Sequence, residues 1–371
     1  MSNSQVLIYG ASGYTGKLIA EALHKRNIPF IFAGRNKDRL KTAIEVVEQR
    51  VGTKVNAEIV TANNTVEELS PLFEQASVVI NVAGPFMQLG WPVVEACLES
   101  NCHYLDTTGE QDWVLAIKEK FGQAFAEKDL LLCPANSFMW AAGALAAEVV
   151  LEDENIDMLD ILYKPDNGLP SVASTKSFLR MQCNPETQYY LEQNELVSWQ
   201  NNVAYDVAIP FVNVVERALP WGGACEPIWY QDDARVRSCK VLTAIGPHLI
   251  DGVLQAVEQF NQLSPGMSEE ERENLTNQIG DQICQTEPPK DDVDVQRSII
   301  VCNGRGRNSA KQFILYLAAP YSWTGDICAE GAMRILNNQI KKPGFQSAAT
   351  AFGHRELLDV FFEAGVTNRP E

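Results

Sequence analysis

Four apolar residues, Val6-Leu7-Ile8-Tyr9, run straight into Gly10-Ala11-Ser12-Gly13-Tyr14-Thr15-Gly16, and Lys17-Leu18-Ile19-Ala20-Glu21-Ala22-Leu23 follows at once. A short apolar run of this kind reads as a buried parallel strand. Apolar residues recurring at helical spacing read as an amphipathic helix. Strand, glycine turn and helix in that order make a site for a diphosphate. Gly10 permits the sharp exit from the strand, and Gly13 leaves no side chain between backbone and pyrophosphate. Gly16 lets the helix pack close, and the free amides at the helix start face the negative charge. Ser12, Tyr14 and Thr15 add hydroxyls beside the phosphates. The spacing is G-x-x-G-x-x-G rather than G-x-G-x-x-G, so the glycines carry meaning only through their strand–turn–helix setting.

Composition narrows the remaining choices. A chain of 371 residues is long enough for two packed domains. Its net charge of -18 repels phosphate backbones, which argues against a nucleic-acid partner. The nine cysteines are scattered singly, without Cys-x-x-Cys or zinc spacing. They read as reduced thiols of a cytoplasmic protein, and no metal is expected. No signal peptide is expected, because the nucleotide-binding strand starts at about residue 5. The most apolar helix-like stretch, 140–151, is interrupted by Glu148 and too short to span a bilayer. It reads as a buried helix, with no integral membrane segment anywhere.

Strand-like and helix-like segments alternate regularly through the first 136 residues. Strands are expected at 6–9, 29–33, 58–60, 77–82, 103–105 and 130–133, with helices between them at 37–50, 66–75, 91–100 and 111–128. Six strands joined by helices imply an α/β, doubly wound parallel sheet with a ligand crevice at the strands' C-terminal ends. Beyond about residue 155, strand-like segments at 158–163, 203–209, 235–244, 298–302 and 312–318 lack the regular helix between them. A second domain built on a mixed sheet is expected there. Asn303-Gly304-Arg305-Gly306-Arg307-Asn308 reads as a hairpin turn. Ser268 with Glu271 makes a capping box, and helical pattern returns at 325–340 and 356–364. The expected division is 1–136, 137–319, and a C-terminal 320–371 packing back on the first domain.

Arg35 is the most informative single residue. An Asp or Glu at the end of the second strand binds the adenosine ribose diol and selects NAD. Here Gly34 is followed by Arg35, whose guanidinium pairs with a 2′-phosphate. Lys37 and Arg39 add positive charge nearby, so NADP(H) is the expected cofactor; a solvated helix start is the competing reading. Ala83-Gly84-Pro85-Phe86 ends the fourth strand where the crevice opens. Gly84 there allows close backbone approach to the cofactor, and Phe86 walls the nicotinamide; a simple tight turn is the competing reading. Asp106 and Glu110, beyond the fifth strand, are the best-placed acid/base candidates, although a helix cap or structural hydrogen bond explains each equally well. Ser171 to Ser177 reads as a helix start. The chain has no Gly-x-Ser-x-Gly elbow, no Walker loop and no Tyr-x-x-x-Lys pair. Those absences argue against hydrolase, phosphotransferase and plain short-chain dehydrogenase readings.

Taken in order, the glycine turn, Ala33-Gly34-Arg35, Asn81-Val82-Ala83-Gly84-Pro85-Phe86 and His103-Tyr104-Leu105-Asp106-Thr107-Thr108-Gly109-Glu110 resemble the saccharopine dehydrogenase-like oxidoreductases, including the trans-acting enoyl reductases. Pro320-Tyr321-Ser322-Trp323-Thr324 and Ala351-Phe352-Gly353-His354 are similar to that family's C-terminal part. The resemblance implies a Rossmann domain, an inserted α+β second domain, C-terminal helices returning to the first, and nicotinamide-dependent reduction. Pro134-Ala135-Asn136-Ser137-Phe138 departs from the family's usual glycine-and-aspartate turn. An NADPH-dependent reductase of a C=C, C=O or C=N group in an apolar or small organic substrate is therefore expected. A cofactor-binding sensor or scaffold without turnover is the alternative, and a homodimer is the assembly considered.

Overall fold

The computed structural model describes residues 5–200 and 203–369. In chain order, the first half contains β1 (Val6–Tyr9), α1 (Tyr14–Lys25), β2 (Phe30–Gly34), α2 (Lys37–Val51), β3 (Ala57–Thr61), α3 (Val66–Phe73), β4 (Val78–Asn81), α4 (Phe86–Leu89), α5 (Trp91–Glu99), β5 (His103–Asp106), α6 (Gln111–Glu127), β6 (Leu131–Cys133) and α7 (Phe138–Val150). There follow β7 (Ile156–Asp166), α8 (Val172–Gln182), β8 (Tyr189–Glu192), β9 (Glu195–Ser198), β10 (Tyr205–Ala208), β11 (Val215–Ala218), α9 (Glu226–Tyr230), β12 (Ser238–Thr243), α10 (Pro247–Leu263), α11 (Glu269–Ile283), β13 (Arg297–Gly306) and β14 (Ala310–Ala318). The chain closes with α12 (Pro320–Leu336), β15 (Gly344–Phe345), α13 (Ala348–Phe352) and α14 (His354–Glu363).

Two compact units result. The first comprises Met1–Thr108, Trp113–Ala141 and Tyr321–Leu357; the second comprises Gly109–Asp112, Ala142–Pro320 and Leu358–Glu371. In detail this differs from the sequence-based division, because the short 109–112 stretch and the end of the chain group with the second unit.

The first unit is a seven-stranded sheet in the order β15-β6-β5-β4-β1-β2-β3, parallel throughout. The α/β doubly wound expectation is met, with one strand more than the sequence indicated. Strands β1, β2 and β4 are buried along their whole length, as a sheet covered on both faces requires. The chain leaves β1 toward β2 on one side and returns through β4 on the other. That makes the gap between β1 and β4 the topological switch point where a crevice opens. Helix α12 packs on α1 closely enough that a Cβ on Gly325 would lie 2.7 Å from the Leu18 carbonyl oxygen. Arg26 joins it through Asp326 at 2.8 Å.

The second unit holds a six-stranded mixed sheet in the order β14-β13-β7-β12-β8-β9. Only β12 and β7 run parallel. A separate ribbon, β10–β11, contributes Ile209 and Ala218 to a cluster with Leu162, Ala244 and Val301. Helices α8, α10 and α11 bury Phe178, Leu179, Val257, Phe260 and Ile279 against each other. Ser171 caps α8, and the Ser268–Glu271 capping box is formed. The hairpin differs from expectation: β13 runs on through Arg305 to Gly306, and the turn is confined to 307–309.

Candidate cofactor site

The glycine turn is held by its neighbours on both sides. The amides of Gly10 and Ala11 donate to the Ala33 carbonyl at 3.0 and 3.1 Å, and Gly13 donates to Gly10 at 3.2 Å. Gly10 has a φ of 81°, and a Cβ there would lie 2.7 Å from the Ala83 nitrogen. A Cβ on Gly16 would lie 2.4 Å from the Ala11 carbonyl oxygen. Both glycines are thus required by close backbone approach as well as by the turn. Gly13 occupies the N-cap of α1 without any side-chain cap, which leaves the helix start for an outside anion. Ser12 and Thr15 are half-buried, whereas Tyr14 is buried with its ring edge-on to Tyr321 at 5.0 Å. Nζ of Lys17 folds back to the Gly13 carbonyl at 2.9 Å.

Arg35 follows β2 at the same edge of the sheet. It is exposed and makes no hydrogen bond or ion pair among the described residues. Asn36 caps α2 through the amides of Asp38 and Arg39, at 3.0 Å each. Lys37 and Arg39 are exposed beside it. Burial raises the pKa of the Tyr9 phenol while the Arg35 charge opposes that shift. These residues fit a phosphorylated dinucleotide: a turn with glycine where the backbone comes closest, an uncapped helix start, and a guanidinium with no hydrogen bond or ion pair.

Beyond β4 the backbone of Ala83 and Gly84 is half-buried, Pro85 is buried, and Phe86 opens α4 with its ring 3.2 Å from where a Gly84 Cβ would stand. Asn81 organises this loop. Its Oδ1 accepts the Ala83 amide at 3.0 Å, and its Nδ2 donates to the Tyr104 oxygen at 3.1 Å. Tyr104 in turn donates to Oδ2 of Asp106 at 2.9 Å. Asp106, fully buried, also accepts from the Trp113 indole at 3.0 Å and from the amides of Thr108 at 3.0 Å and Ala135 at 2.8 Å. Burial pushes its carboxyl upward against the pull of these four donors. The network ties the C-terminal ends of β4, β5 and β6 into one rim. Burial likewise lowers the pKa of His103, whose Nδ1 accepts the Leu131 amide at 2.9 Å.

Glu110 belongs to a different cluster, in the second unit. It is fully buried, accepts from Ser177 at 2.7 Å and pairs with Arg180 at 3.2 Å. The same guanidinium reaches Asp112 at 2.6 Å and Glu273 at 3.0 Å. Asp106 belongs to the first unit and Glu110 to the second. Each is committed to its own partners. Sequence reading missed Asn81, Tyr104 and Arg180. The signal for Asn81 was a polar residue closing an otherwise apolar strand.

Residues 6–126 match the saccharopine dehydrogenase NADP binding domain, and residues 141–371, more than half of the chain, match a family of unknown function, DUF5938. The chain belongs to the DUF5938 family. This DUF5938 protein is 32% identical over 141 residues to the Caenorhabditis elegans "Lipid droplet localized protein", covering 36% of this chain and 33% of that one. It is 26% identical over 194 residues to the Mus musculus saccharopine dehydrogenase-like oxidoreductase, covering 49% and 42%. With the trans-acting enoyl reductase of Mycobacterium leprae it shares 34% identity over 111 residues, covering 28% and 25%. The matched stretches span less than half the length of these relatives. The expected saccharopine dehydrogenase-like NADP-binding domain is thus present, and NADP(H) is its cofactor. Among the described residues no helix is long and apolar enough to cross a membrane, and no group of three or more side chains could hold a metal ion.

Proposed function

We propose that this DUF5938 protein is an NADPH-dependent oxidoreductase that reduces a C=C, C=O or C=N group of an apolar or small organic substrate. The observation that carries the reading is the unpaired Arg35 beside a glycine turn in which Gly10 and Gly16 leave no room for a side chain. In it, Gly10, Ser12, Gly13, Tyr14, Thr15 and Gly16 hold the pyrophosphate, Arg35 takes the 2′-phosphate, and Ala83, Gly84, Pro85 and Phe86 line the nicotinamide end. The bound cofactor supplies the hydride; the protein supplies binding, orientation and exclusion of water. Asp106 and Glu110, first considered as proton donors, serve in this reading as positioning groups. Their oxygens are occupied and closed to solvent, so the proton comes from water. Nine free thiols support a reducing, cytoplasmic setting.

Calorimetry with NADPH and NADH tests the cofactor half. Arg35→Glu is expected to weaken NADPH binding by at least roughly tenfold more than NADH, from loss of a charge-assisted phosphate pair. Equal losses overturn the 2′-phosphate assignment. Stopped-flow oxidation of bound NADPH against enoyl, keto and imine compounds tests the reaction. Tight binding without consumption of NADPH by any of them leaves the non-catalytic sensor as the better reading.

A further inference from the structure

The turn that joins β10 to β11 is apolar and faces solvent. Ile209 anchors it, buried against Leu162, Ala244 and Val301 of the second unit. The Val212 amide donates to the Ile209 carbonyl at 3.3 Å and closes the turn over that anchor. By contrast, Phe211, Val212, Val214 and Val215 are all exposed. Phe211, at 85%, is the most exposed of the large apolar side chains among the described residues. Its φ of 63° lies in the left-handed region that a bulky residue seldom takes. A backbone held in that conformation to keep an aromatic ring in water brings the fold no packing in return. Strain and exposed apolar patches of this kind cluster where something binds.

Charge narrows the partner. From Val207 to Val215 the chain carries none, although the protein's net charge is -18. The charges that flank this stretch are matched: Asp206 stands opposite Arg217 in the register, Arg217 reaches Asp251 at 3.4 Å, and Glu216 meets Lys164 at 3.3 Å. The turn therefore suits a partner that offers apolar depth and no net charge. Its four exposed apolar side chains fall far short of the about 20–30 residues a side that a stable protein interface needs. A lipid surface makes no such demand, because acyl chains mould themselves to whatever enters. We propose that the 209–215 turn inserts into the surface of a membrane of zwitterionic lipids, with Phe211 entering deepest, and holds the protein there reversibly. Shallow insertion at the interface needs no spanning helix. This inference is independent of the cofactor reading.

The test is flotation of the full chain with phosphatidylcholine vesicles at low and at high salt. Wild-type protein is expected to float with them equally at both, since no charge pair drives the binding. Phe211→Asn removes the ring but keeps a residue that tolerates positive φ. It is expected to lower the partition coefficient roughly tenfold, the worth of one aromatic side chain moved out of water. Ile283→Asn changes an exposed apolar residue outside the ribbon and is expected to bind as wild type does. Wild-type protein that stays off the vesicles, a measurement that needs no variant, overturns the proposal. Undiminished binding of Phe211→Asn, or an equal loss in Ile283→Asn, overturns it as well. Binding confined to phosphatidylserine vesicles and released by salt would be electrostatic attachment, and the apolar turn would not be its cause. Sedimentation velocity covers a second copy as occupant: a wild-type dimer that Phe211→Asn dissolves assigns the turn to a protein interface and overturns the lipid assignment.

Discussion

Tyr104 and Asp106 stand two residues apart on β5, side chains on the same face, and the hydroxyl of the first donates to the carboxylate of the second at 2.9 Å. Because Asn81 donates to the same hydroxyl, Tyr104 transmits one strand's end to the next. Removing it strands a donor on Asn81 and takes one of two donors from Oδ2 of Asp106, which keeps the Trp113 indole, all in a fully buried setting. Tyr104→Phe is therefore expected to lower the unfolding free energy by about 1–3 kcal/mol. Urea denaturation checks this, with the midpoint falling and the slope unchanged. No loss of stability would mean that water replaces the hydroxyl.

Gly16 faces the Ala11 backbone, with a virtual Cβ 2.4 Å from a carbonyl oxygen. Backbone cannot swing aside as a flexible side chain does. Gly16→Ala is expected to cost roughly 1–3 kcal/mol by overpacking and to weaken NADPH binding, since the displaced element is the turn proposed to hold the phosphates. Gly52→Ala is the control for a glycine outside the turn: nothing lies within 4 Å of its virtual Cβ, though its φ of 74° carries a smaller strain. Its NADPH affinity should stay at the wild-type value by fluorescence titration.

Arg180 is one guanidinium facing three carboxylates, Glu110, Asp112 and Glu273. Those carboxylates, together with burial acting the other way, leave its pKa above the ordinary arginine value. Arg180→Met would leave like charges in contact without a counter-ion. A loss of about 3–5 kcal/mol is expected for a buried ion cluster broken at one partner. The double variant Arg180→Met with Glu110→Gln should recover part of it, and a thermodynamic cycle from denaturant curves measures the coupling.

What the sequence made legible follows from where periodicity is strong. Val6 to Tyr9 and Val78 to Asn81 read as strands because both faces are buried. Ser268 and Glu271 announced a helix start through chemistry local to four residues. Strands β8 and β9 escaped notice because they are half-exposed and joined by Gln193 and Asn194, which take positive φ without the glycine that flags such a turn. β15 has only two residues, and two residues carry no period. The environment of Glu110 was illegible for another reason. Its partner Arg180 is 70 positions away in the chain, and nothing local to Glu110 encodes that pairing.

Glu226 supplies a prediction in which the sign decides. It is fully buried; Oε1 accepts from Tyr163 at 2.8 Å, and Oε2 has no partner. Gly143 packs so close that a Cβ there would lie 2.1 Å from Oε1. Burial pushes the carboxyl up to about 8 from an ordinary 4.5. Between those values the folded chain holds a proton that the unfolded chain has released. Stability from this group is therefore complete below about pH 4.5 and declines as pH rises toward 8, by up to about 1.4 kcal/mol per unit. Above that the folded state has also lost the proton, and the slope vanishes. Glu226→Gln keeps the shape and the acceptor for Tyr163 but cannot ionise. Its unfolding free energy, measured in urea from pH 5 to 9, should lack this decline, so the variant gains on wild type as pH rises. Parallel pH curves for the two proteins would place the carboxylate's charge on a partner or solvent path, and the buried neutral acid would have to be abandoned.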